Sequence, residues 1–137
     1  MEVLKILFVV LFLYVCPLSG AQRLDSVGWI CLRNAIIAVE SGGDSMAVNG
    51  RCVGVLQITP VYVAEANRIV GCEKYCLGDR LSVSKSIEMF EVVQGEWNKD
   101  REMVRAVYLH NPRGDMGYYL KIVHEFHELT RIENWHE

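Results

Sequence analysis

The chain has 137 residues, a formal net charge of −3 and 51% hydrophobic residues. That length suits one ordinary domain and leaves no room for a second independent core once a leader is discounted. The slightly acidic balance gives neither nucleic acid nor an anionic membrane surface an electrostatic hold, so neither is an expected partner.

The N-terminus reads as a targeting segment. Lys5 is followed by the apolar run 6–15, Pro17 breaks it, and Ser19-Gly20-Ala21 supplies small residues for a signal peptidase. This pattern predicts a secretory signal peptide over 1–21, cleaved after Ala21. Removing 21 of the 137 residues leaves a mature domain of 116, residues 22–137. The apolar run is short for a bilayer core of about 30 Å, so no stable membrane span is expected after cleavage. A lipoprotein attached through Cys16 is disfavoured by the bulky Tyr14 and Val15. The expected location is periplasmic or extracellular, and the expected state is a monomer.

Beyond the leader the chain reads as mainly helical. Residues 25–41 place Ile30, Ile36, Ile37 and Val39 among helix formers, and Gly42-Gly43-Asp44 stops that helix. Small, polar and β-branched residues over 45–54 suggest an irregular loop or short hairpin. Thr59-Pro60 matches an N-cap followed by proline at the first helical position, opening a helix over 61–70. Residues 71–80 hold two cysteines and two glycines and read as a stapled loop. Ser84 is the expected cap of a helix to Trp97, with Ile87, Phe90 and Val93 on one face. A further helix is expected from about Asp100 to His110, ended by Asn111-Pro112-Arg113-Gly114. The last, over 116–132, is expected to bury Tyr119, Leu120, Val123 and Phe126.

Four cysteines follow the leader: Cys31, Cys52, Cys72 and Cys76. An even number in an exported chain suggests one or two disulfides, with three possible full pairings. Four thiolates could also hold zinc, but the spacing lacks paired Cys-x-x-Cys knuckles. His124 and His127 lie three apart, not at the His-Glu-x-x-His spacing, and read as part of a solvated charged face. No metal and no cofactor are expected. Trp29, Trp97 and Trp135 could stack on sugars, but isolated tryptophans more often pack.

Glu40 ends the strongly apolar stretch Ala35-Ile36-Ile37-Ala38-Val39. The negative end of the helix dipole and the apolar neighbours both favour the neutral carboxyl, the requirement for a general acid near neutral pH. By itself such a glutamate would be read as an exposed helix end. Its surroundings point further: Glu40-Ser41-Gly42-Gly43-Asp44-Ser45-Met46-Ala47 is followed by Gly54-Val55-Leu56-Gln57-Ile58-Thr59-Pro60. Downstream come Ala106-Val107-Tyr108-Leu109-His110-Asn111-Pro112 and Tyr118-Tyr119-Leu120-Lys121-Ile122-Val123.

These blocks, in this order, resemble the signature of the soluble lytic transglycosylases and goose-type lysozymes, over about residues 28–125. The resemblance implies a lysozyme-like single domain with a short irregular or β excursion after the helix that carries the acid. It implies cleavage of the β-1,4 MurNAc–GlcNAc bond in the glycan strands of peptidoglycan, with Glu40 as sole acid and base and an anhydro-muropeptide product. Ser41, Gln57, Tyr108, His110 and Asn111 are carried over as substrate-binding residues, with Tyr108 at the place of the family tyrosine that contacts the acid or the N-acetyl group. The family's asparagine after that tyrosine is Leu109 here, and Ser82 and Ser86-Ile87 stand where an Asp…Asn-Ile pattern is usual. Two alternatives stay open. One is lysozyme-type hydrolysis with a second carboxylate, for which Asp44 is the candidate although it reads more simply as a turn residue. The other is a non-catalytic glycan-binding module on the same fold. Arg113 is a candidate for the cleft rim, able to contact a peptide carboxylate.

Overall fold

A computed structural model describes residues 22–133, so the leader over 1–21 and Trp135 lie outside the described residues. The described chain is mainly α-helical. Five helices, α1 (Ser26–Ser41), α2 (Pro60–Val70), α3 (Val83–Trp97), α4 (Met103–His110) and α5 (Met116–Glu133), are joined by connecting segments that include a small two-stranded antiparallel hairpin, β1 (Val48–Asn49) and β2 (Cys52–Val53), between α1 and α2. A 3₁₀ turn, Leu77–Leu81, leads into α3.

Side chains at the helix ends set the boundaries. The Asp25 carboxylate accepts from the Gly28 N–H at 2.8 Å, and Gly42 closes α1 in the left-handed region at φ 64°. Thr59 caps α2 with Pro60 at its first position, as the sequence predicts. The cap of α3 is Ser82, not Ser84: its hydroxyl accepts from the Lys85 N–H, because the 3₁₀ turn ends there. The helix α4 begins at Met103 and not near Asp100; Asn98 instead bonds both the N–H and the carbonyl of Glu102.

The core is a single cluster. From α1 it takes Trp29, Leu32, Ala35 and Ile36, a 3–4 spacing that faces α5, while Ile30 is exposed. Phe90, Met89 and Val93 of α3, Met103, Ala106 and Val107 of α4, and Ile122 and Phe126 of α5 join it, with Val63 and Ala66 of α2 and Val55, Leu56, Ile58 and Tyr75 from the connecting segments. Each fully buried Leu, Ile, Val, Phe or Met side chain among them is worth about 1.5–3 kcal/mol. On α5 the expected inward face holds at Phe126, which is buried, and at Tyr119 and Val123, which pack partly buried against the core, whereas Leu120 is exposed and Ile122 is buried in addition.

The cysteines correct another expectation. All four are free thiols, Cys31 buried on α1, Cys72 and Cys76 exposed. Hydrogen bonds close the segment expected to be stapled. The Asn67 side chain donates to the Tyr75 carbonyl and accepts from its N–H, both at 2.8 Å, and the Tyr75 ring is buried.

The excursion between α1 and α2 is held at one close approach. Gly54 has φ 80°, and a Cβ there would lie 1.8 Å from the Arg80 carbonyl oxygen. Gly71 has a similar φ of 76° but open space around it. Gly71→Ala is therefore expected to cost about 1 kcal/mol for the backbone alone. Gly54→Ala, which adds the clash, should cost about 3 kcal/mol or more. Urea melts of the two variants check this, and equal losses would mean that the loop yields at Gly54.

Candidate functional site

The last turn of α1 presents the Glu40 side chain, 15% exposed, to a groove of about 670 Å³. Gln57, Thr59 and Tyr62 line it, as do His110, Asn111 and Arg113. Burial pushes the Glu40 carboxyl above the usual carboxylate range, while a hydrogen bond from Tyr118 acts in the opposite direction. The negative end of the α1 dipole acts with burial.

Tyr118, near the start of α5, donates its hydroxyl to Glu40 Oε1 at 2.5 Å. Burial and then the hydrogen bond to Glu40 push the Tyr118 hydroxyl far above its ordinary range, so it stays a donor. His110 lies on the other side, its Nε2 3.7 Å from the same oxygen. That nitrogen is 2.8 Å from the Leu56 carbonyl, which only accepts, so Nε2 carries the hydrogen. Burial lowers the His110 pKa to about 4, against the carbonyl that favours its proton, so the ring is neutral at neutral pH. Edge-on contacts with Tyr62 and Phe90 fix the ring. Oε1 is thus the held oxygen of Glu40. Oε2 makes no hydrogen bond among the described residues.

Of the other sequence-predicted residues, Asn111 and His110 share the groove with Glu40. Gln57 does too, but its amide nitrogen donates to the Ala47 and Gly54 carbonyls at 3.2 and 2.9 Å, leaving only its oxygen for a ligand. Ser41 turns away from the groove. Its hydroxyl donates to the Val55 carbonyl at 2.8 Å and accepts from the Gly43 N–H, tying the helix end to the returning loop. Tyr108 is not beside Glu40: it is 38% exposed and stacked on Tyr119, ring centroids 6.3 Å apart. The inward face of α4 is Met103, Ala106, Val107 and His110, which turns Tyr108 outward. The tyrosine that meets the acid is Tyr118.

Asp44 accepts from the Met46 N–H at 2.8 Å as a turn residue and does not line the groove. The groove's other carboxylate is Glu65. Hydrogen bonds from Arg68 and Trp97 hold it at about 2, so it stays ionised. Trp97 is half exposed at the groove wall, with Arg68 over its ring, whereas Trp29 is buried and donates to Glu91. His124 and His127 are exposed on α5, and no group of metal-binding side chains occurs among the described residues. Comparison with protein-family models, with curated proteins and with solved structures gives no match for this chain.

Folding favours the protonated form of Glu40, because its folded pKa is raised. That contribution is complete below the ordinary glutamic acid range and is lost as pH rises through the raised folded value. Glu40→Gln keeps an acceptor for Tyr118 and cannot ionise. The variant is expected to melt above the parent at neutral pH, with the difference closing as pH falls through the ordinary range near ~4.3. Thermal melts across pH check this, and a pH-independent difference would contradict a raised pKa.

Proposed function

We propose that the protein is a peptidoglycan lytic transglycosylase on a lysozyme-like domain, cutting the β-1,4 MurNAc–GlcNAc bond with Glu40 as its sole acid and base. The observation that carries this reading is the carboxyl of Glu40. It is desolvated at a helix end, held through one oxygen by Tyr118, and turned to an open groove whose other carboxylate is engaged with Arg68. An exported protein, periplasmic or extracellular, would meet this substrate in the wall.

The chemistry runs with one carboxyl. Neutral Glu40 gives its proton to the glycosidic oxygen as the bond to the MurNAc anomeric carbon breaks, and the sugar's own N-acetyl group stabilises that carbon. Glu40, now ionised, takes the proton from the MurNAc C6 hydroxyl as its oxygen attacks the same carbon and closes the anhydro ring. One proton is given, one is taken, and no water enters. The opposed effects on Glu40 suit both halves, since burial keeps the acid charged with its proton and Tyr118 stabilises the carboxylate between steps. Neutral His110 beside Oε1 adds a fixed N–H dipole without a competing charge.

Incubation of the purified protein with peptidoglycan is expected to release muropeptides one water lighter than hydrolytic products, read by mass spectrometry. Glu40→Gln should reduce release by about 10²–10⁴-fold. Products carrying the full water would replace this reading with hydrolysis, and no release from intact wall would remove the enzyme altogether.

Tyr118 and Tyr108 separate in a second measurement. Tyr118→Phe removes the hydrogen bond that lowers the Glu40 pKa, so the pKa rises further. The alkaline limb of kcat/KM, where the acid is lost, should then move to higher pH, and kcat should fall about ten-fold. Tyr108→Phe should change neither. A shift in the Tyr108 variant alone would restore Tyr108 to the site.

A further inference from the structure

We infer that the groove holds a carboxylate carried on its glycan, bound by Arg51 and Arg113; this rests on the proposed reading of the groove as a peptidoglycan site. Four charged residues line the groove: Glu40, Arg51, Glu65 and Arg113. Glu65 is matched by the Arg68 guanidinium, which donates to both its oxygens at 2.8 Å, and by the Trp97 indole. Glu40 is desolvated and hydrogen-bonded to Tyr118. Neither Arg51 nor Arg113 makes an ion pair or a side-chain hydrogen bond among the described residues, and both side chains are exposed. The groove therefore presents two uncompensated guanidinium groups in a chain whose formal net charge is −3. Local charge opposite to that of the whole chain selects an anionic ligand for this face.

The backbones that carry the two arginines are fixed while their side chains are not committed. Arg80 donates to the Arg51 carbonyl at 3.1 Å, pinning the hairpin turn. The Asn111 side chain accepts from the Arg113 N–H at 3.2 Å, and the Gly114 N–H bonds the Asn111 carbonyl, pinning the turn after α4. Positioned turns bearing unpaired guanidinium forks match the planar, two-oxygen geometry of a carboxylate. Such groups hang from peptidoglycan in two places, the stem peptide and the lactyl group of MurNAc once the peptide is removed.

The test is equilibrium binding of soluble peptidoglycan fragments to the full-length Glu40→Gln protein, which binds without cutting. Three ligands are compared: peptide-bearing chains, chains stripped by an amidase so that only the lactyl carboxylate remains, and peptide-bearing chains with every carboxylate converted to amide. The amidated chains are expected to bind about ten-fold more weakly than the free ones, a difference that shrinks with salt. Adding Arg51→Gln and Arg113→Gln should erase it; both positions are exposed, and circular dichroism checks the fold. Loss of affinity on stripping assigns the peptide carboxylate alone, and equal affinity shows that the lactyl carboxylate freed by the amidase serves in its place. Equal binding of free and amidated chains, or discrimination that survives both substitutions, overturns the inference. Discriminating binding by a protein that releases nothing from the wall would remove the proposed cleavage and leave this inference standing.

Discussion

Gly54 can carry no side chain, because the Arg80 carbonyl occupies the place where a Cβ would stand. The site depends on that approach. It presses the excursion after α1 against the 3₁₀ turn, where the buried Ser86 hydroxyl also reaches the Arg80 carbonyl and the Arg80 guanidinium donates to the Arg51 and Ile58 carbonyls. With the loop fixed from below, Val55, Leu56 and Ile58 enter the core. Ser41 then meets the Val55 carbonyl and His110 the Leu56 carbonyl. The helix that carries Glu40 and the helix that carries His110 are thus tied to one stretch of backbone.

The electrostatic character of the groove follows from burial more than from ion pairing. Thr59, Pro60, Tyr62 and Leu109 line the groove with neutral His110, and neither Arg51 nor Arg113, which also line it, is among the causes of the Glu40 shift. A carboxyl in such a setting is shifted by lost hydration, and one neutral donor moderates the shift. A neighbouring lysine or arginine would have driven the group toward a permanent carboxylate. An uncharged phenol stabilises the ion without locking it. The same economy explains how Glu65 can share the groove, since its charge is engaged by Arg68 and Trp97 and stays ionised.

Much of the architecture was legible in the sequence because the helix ends carry their own markers. Asp25 and Thr59-Pro60 act through local hydrogen bonds and a fixed φ, which sequence spacing records directly. The start of α4 was not legible: it depends on Asn98, buried and bonded to Gln94, and on the Met103 N–H bonding the Gln22 carbonyl. Glu40 could be singled out from its apolar helix and the glycine-rich return. Tyr108 could have been set aside on periodicity, because Met103, Ala106, Val107 and His110 already occupy the inward stripe. Tyr118 lies 78 residues from Glu40, and only the packing of α1 on α5 brings them together. The thiol expectation failed for a different reason. An even cysteine number describes composition, whereas loop closure by Asn67 and Tyr75 is a matter of geometry.

Gln57 sits at φ 48°, in the left-handed region that glycine occupies more cheaply. A non-glycine residue there costs about 1–2 kcal/mol, which its two side-chain bonds to the Ala47 and Gly54 carbonyls largely offset. The residue is therefore close to neutral for stability while it lines the groove with its amide oxygen uncommitted among the described residues. An engineer selecting only for thermal robustness would be free to exchange Gln57 for a turn-forming residue, with little warning from the melting curve. Selection for robustness alone would thus let the groove erode at this position while the fold persisted, a divergence between durability and use built into a single backbone angle.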